Sequence, residues 1–86
     1  MEVCMHKAKT ADGRANICGK HILRMRKAMK PKCSQKEFAD KLQLLGLDVD
    51  KNAVQRMECG KRTVSDIELK VIAQALGVTA DELLAE

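Results

Sequence analysis

The stretch "SQKEFADKLQLLGLDVDKNAVQRMECGKR", residues 34–62, consists of two apolar-striped segments joined by a short linker around Gly46. The first opens on Ser34 with Glu37 three residues later. In such a pair the hydroxyl accepts the Glu37 amide while the carboxylate reaches back to the serine amide. Phe38, Ala39, Leu42 and Leu45 follow at helical spacing and read as a buried stripe. Gly46 suits the left-handed residue that closes a helix, Leu47 and Val49 anchor the connection, and Asp50 is a good N-cap for a second segment, Lys51 to Cys59. That segment has few inward residues, Val54 and Met57 with small Ala53. Its outward surface carries Lys51, Asn52, Gln55 and Arg56, which stability alone does not require. Gly60 closes it, and Lys61 and Arg62 come directly after.

The remainder of the chain repeats the helical grammar. Upstream, Ile22, Met25 and Met29 recur at three- and four-residue steps with Lys20, Arg24 and Lys27 on the other side, which predicts a helix from Ile17 that Pro31 ends. Downstream, Ser65 and Glu68 form a second capping pair. Leu69, Ile72, Ala73 and Leu76 then line one face up to Gly77. Thr79 and Glu82 form a third pair, opening a short helix with Leu83 and Leu84 inward. No segment alternates with period two for long enough to read as a strand. The expectation is all-α: a compact five-helix bundle over residues 17–86. Residues 1–16, with the turn-like run "TADGRAN", read as a flexible basic arm able to order on a partner.

A chain of 86 residues holds one modest core, and here 45% of the residues are hydrophobic with Phe38 the only aromatic. With no long apolar run and no signal-peptide core, the expectation is a cytoplasmic protein without membrane attachment, its four cysteines reduced. A metal site can be assembled on paper from Cys4-x-His6 and Cys18-x-x-His21. That spacing is weak against the paired thiolates of zinc sites, so incidental thiols are the better reading and no cofactor is expected. Charge is uneven: residues 1–63 carry fifteen Lys and Arg against seven Asp and Glu, net +8, whereas residues 64–86 carry one against five, net −4. A solvated charged face would look similar, but the asymmetry points to one surface that meets a polyanion.

Two short helices crossing after a tight turn present the second helix to the DNA major groove, whose bases are read by side chains near that helix's N-terminal end. Lys51 and Arg56 can donate to guanine O6 and N7, and Asn52 and Gln55 can match adenine N6 and N7. Gln35, at the start of the preceding helix, can bond a phosphate, and Lys61 and Arg62 lie where the chain can pass the DNA backbone.

The ordered run "SQKEFADKL…NAVQRMECGKR…IELKVIAQALGVTADELL" resembles the phage repressor and Cro type of helix-turn-helix, the XRE-like regulators, over about residues 17–86. The resemblance implies a lambda-repressor-like domain of five short helices with the third as recognition helix. It implies base contacts from Lys51, Asn52 and Arg56, a phosphate grip from Gln35, and backbone amides near Gly60 and Lys61 on the sugar-phosphate chain. It also implies that Arg26 pairs with Glu58. The sequence departs from the family in two places. Leu42 and Val54 are twelve residues apart, more than usual, so that "QLLGLDV" must lengthen the second helix or enlarge the connection, and "AMKPKC" is also long.

The expected function is therefore a sequence-specific, double-stranded DNA-binding regulator, a repressor by resemblance, on a palindromic operator. A weak homodimer would form through the last helices of the 64–86 segment or assemble on the DNA. The competing class is a protein-interaction module of the same fold, an antitoxin or adaptor, which has no need of Lys51, Asn52 and Arg56 together with Gln35. Enzymatic function has no supporting feature, because no nucleophile–base order, glycine-rich phosphate loop or carboxylate pair is present.

Overall fold

In the computed structural model, which describes residues 9, 10 and 12–85, five helices follow one another: α1 Gly19–Lys27, α2 Gln35–Leu44, α3 Lys51–Glu58, α4 Asp66–Leu76 and α5 Ala80–Leu84. The described residues contain no strand. All three capping pairs form. Ser34 Oγ accepts the Glu37 amide while Glu37 Oε1 accepts the Ser34 amide at 2.8 Å, and Ser65–Glu68 and Thr79–Glu82 repeat the exchange. Asp50 caps α3 by accepting the Ala53 amide at 2.8 Å. Each helix entry is thus fixed locally, by bonds within four residues.

The exits are equally local. After α2 the Leu47 amide donates to Leu42 O and the Gly46 amide to Gln43 O, with Gly46 at φ 95°. This double closure turns the chain sharply and points Leu47 back at the core. The same two bonds close α3, from Lys61 to Arg56 and from Gly60 to Met57. The surplus length between Leu42 and Val54 therefore goes into the connection. The second helix stops two residues after Leu42, leaving a linker from Leu45 to Asp50 that Gln43 Nε2 braces by donating to Val49 O at 2.7 Å.

Ile22 from α1, Phe38 and Leu42 from α2, Val54 and Met57 from α3, Ile72 from α4 and Leu83 from α5 fill the centre, each at most 1% exposed. α3 lies against α2 and α1, so its inward face is fully spent on packing. No described helix is long and apolar enough to cross a membrane.

Three expectations need correction. Leu45 is 37% exposed, because α2 ends before it and Leu47 takes the inward position instead. Leu84 is 43% exposed: successive helical residues point about 100° apart, so a single turn buries Leu83 alone. α1 runs neither from Ile17 nor to Pro31. It starts at Gly19, whose amide donates to Asn16 Oδ1 at 2.7 Å, and it ends at Lys27, where the Ala28 amide is shared between Arg24 O and Met25 O.

The distal part of the expected arm is docked rather than free. Thr10 and Arg14 close a turn, Asp12 accepts from the Thr10 hydroxyl and pairs with Lys20 Nζ on α1 at 3.0 Å, and residues 14–16 lie against the end of α3. Residues 1–8, including Cys4 and His6, lie outside the described residues.

Candidate nucleic-acid interface

The eight residues of α3 divide sharply. Ala53, Val54, Met57 and Glu58 are buried; Lys51, Asn52, Gln55 and Arg56 are exposed. The 3.6-residue repeat sets this partition once Val54 and Met57 are committed to the core. Among the described residues, no hydrogen bond or ion pair holds any of those four exposed side chains, so their donors and acceptors face solvent unspent. Four basic or amide groups within two turns, beginning at the positive end of a helix, make a surface suited to an anionic, hydrogen-bonding partner.

Behind that face sits a buried knot. Arg26 Nε donates to Glu58 Oε2 at 2.6 Å and Arg26 Nη2 to Glu58 Oε1 at 3.0 Å. The two side chains are 9% and 3% exposed. Arg26 Nη1 adds a bond to Cys33 O at 2.9 Å. The hydrogen bonds that Arg26 donates to Glu58 hold the Arg26 pKa above its ordinary value against the opposing pull of burial. Gln35 Nε2 also donates to Glu58 Oε1, at 2.9 Å. One carboxylate therefore ties α1 and the start of α2 to the end of α3, and Arg26 extends the tie to the α1–α2 loop through Cys33 O. This fixes Gln35, half-buried, at the helix entry beside the free amides of the first turn of α2.

Of the two basic residues after Gly60, Lys61 is exposed and projects freely. Arg62 is turned toward α4, where its Nη2 donates to Glu68 Oε2 at 2.8 Å. Burial works to raise the Glu68 pKa, but the Ser65 amide and the Arg62 guanidinium outweigh it and hold the carboxyl below the ordinary range.

Sequence reasoning missed two residues that belong to this architecture. Arg14 Nη2 donates to Glu58 O at 2.6 Å, and Asn16 Nδ2 donates to Met57 O at 3.0 Å and Arg62 O at 2.8 Å. The one available signal was Asn16 three residues ahead of a helical amide, the spacing of a side-chain cap.

His21 is occupied within the fold, its Nε2 2.6 Å from Ala85 O and its Nδ1 3.0 Å from Arg24 Nη2. Among the described residues no group of His, Cys, Asp and Glu is arranged to hold a metal ion. Cys18 is buried and Cys33 half-buried, and burial pushes both thiols up from their ordinary pKa.

A family model described as helix-turn-helix matches residues 22–83. Searches of curated proteins and of solved structures return no match.

Proposed function

The chain belongs to the helix-turn-helix family of DNA-binding regulators, and from that premise we propose that it is a sequence-specific repressor that reads the major groove with the exposed face of α3. One observation carries this reading: Lys51, Asn52, Gln55 and Arg56 stand exposed and unengaged on a helix whose opposite face is wholly buried. Lys51 and Arg56 donate to guanine, Asn52 and Gln55 bond adenine, and the match of donors to base edges supplies the specificity. Gln35 uses its second amide hydrogen, together with the first-turn amides of α2, on a phosphate. Lys61 takes a phosphate on the other side, whereas the Arg62 guanidinium, expected from the sequence to share that task, is engaged by Glu68. These backbone contacts set register, and the base contacts set sequence.

A single helix of this size discriminates few base pairs, so two copies on a palindrome are needed for useful specificity, with half-sites about 34 Å apart. The exposed apolar side chains Ile67, 70% exposed, and Leu84 on the acidic 64–86 segment are the surface through which two copies would meet. A protein adaptor of the same fold would leave the four α3 side chains without a purpose.

Selection of bound duplexes from a random pool, followed by sequencing, tests the proposal. Enrichment of a palindrome with half-sites one helical turn apart supports it. A pool that stays random through repeated rounds at low salt sinks it.

A further inference from the structure

Four carbonyl oxygens at the far end of α3 and in the loop after it are taken by residues 14–16, more than forty positions earlier in the chain. Arg14 Nη2 reaches Glu58 O at 2.6 Å, the Ala15 amide reaches Gly60 O at 2.9 Å, and Asn16 Nδ2 reaches Met57 O at 3.0 Å and Arg62 O at 2.8 Å. Asn16 is only 9% exposed, and its remaining oxygen accepts the Gly19 amide. α3 does not need these bonds in order to end. The Gly60 and Lys61 amides already close it on Met57 O and Arg56 O. What the added bonds do is locate that end relative to α1 and to the turn that Thr10 and Arg14 close, which Asp12 pins to Lys20.

The packing is as close as the bonding. A Cβ on Gly60 would stand 2.8 Å from Arg14 Cζ and 2.9 Å from Arg14 Nε, so the Arg14 side chain packs directly against the residue before Lys61. Gly60, at φ 78°, has both the left-handed backbone that the turn requires and the bare surface on which Arg14 rests. The Arg14 cation also sits at the negative end of the α3 dipole.

We infer that Arg14 and Asn16 are positioning residues for the DNA interface, a latch that sets the end of α3 and the Gly60–Arg62 loop, so that duplex affinity and selectivity depend on a segment outside the matched span 22–83. The inference rests on the proposed base-reading role of α3. Arg14 and Asn16 touch no base in this scheme; they hold Lys61 and the reading face at a fixed distance from each other.

The test uses the full chain with Arg14→Ala and, as a milder change to the same latch, Arg14→Lys. Binding is measured on the selected duplex and on an unrelated duplex of equal length from about 50 to about 200 mM salt. Exchange of the hydrogen-bonded Gly60 and Lys61 amides is followed in parallel. Loss of a charge-assisted bond that positions the interface should weaken the selected duplex roughly tenfold for Arg14→Ala and less for Arg14→Lys. The unrelated duplex should lose little, the salt slope should stay unchanged, and exchange should be faster at 60 and 61 but not in α2 or α4. Equal losses on both duplexes with the salt slope reduced by about one would make Arg14 itself a phosphate contact and overturn the latch. Unaltered affinity with unaltered exchange would overturn it as well. If the unsubstituted chain prefers no duplex, the reading of α3 has failed, and the exchange at Gly60 and Lys61 alone decides whether the latch exists.

Discussion

Replacing Glu58 by alanine should be among the most damaging single changes in the described part of this protein. The carboxylate is 3% exposed and accepts three hydrogen bonds, two from Arg26 and one from Gln35. Its removal leaves the Arg26 guanidinium, itself 9% exposed, buried with only the Cys33 carbonyl for a partner. Breaking a buried pair from one side costs about 3–5 kcal/mol, because the surviving charge stays desolvated. Gln35 is half-buried and can turn to water, so its share is smaller. A domain of this length has a total stability of roughly 4–13 kcal/mol at the usual per-residue range, so Glu58→Ala removes a large part of it. Urea unfolding followed by circular dichroism reads the change directly. The double replacement Arg26→Met with Glu58→Leu takes away both charges and should recover most of the loss, since no unpaired ion is left. A Glu58→Ala cost below about 1 kcal/mol, the range of exposed pairs, would show that the pair is solvated and that the knot does not organise the fold. A double variant no better than the single one would shift the explanation from charge to shape.

Three further outcomes follow from the geometry. Ser34→Ala should cost about 1 kcal/mol through the lost cap on the Glu37 amide, visible as a lower melting temperature. Gly19→Ala ordinarily helps a helix by about 1 kcal/mol, but here the added Cβ would run into Met57 O and stand 2.6 Å from Arg14 Nη2, so melting should fall instead by about 1–3 kcal/mol of stability. Glu68 has its folded pKa depressed below the ordinary 4.5, so its contribution is present above that value and is lost as pH falls through the folded pKa. Acid unfolding followed below about pH 4.5 should therefore be shallower in Glu68→Gln than in the unsubstituted chain.

The parts legible in the sequence are those whose physics is local. Ser34, Asp50, Ser65 and Thr79 announce helix entries because the atoms they bond lie three residues away, and Gly46 and Gly60 announce exits for the same reason. The face of α3 was legible because Val54 and Met57 leave the helix only one way to turn. Leu45 and Leu84 were misread because a periodic pattern does not say where the helix carrying it stops. Arg26 and Glu58 are 32 residues apart, and only the family resemblance joined them. Arg14 and Asn16 reach across 41 to 46 residues to backbone carbonyls, which have no side-chain identity for a sequence pattern to match.

The exposed face of α3 is tested most directly by measuring Arg56→Ala against the unsubstituted chain on the selected duplex and on that duplex with single base-pair changes. A side chain that reads a base should lose about 1–3 kcal/mol on the selected site and should no longer distinguish the substitutions at one base pair, while keeping its discrimination elsewhere. A uniform loss across every duplex, with discrimination intact at all positions, would mean that Arg56 meets only the phosphates and that α3 is not the element that reads sequence.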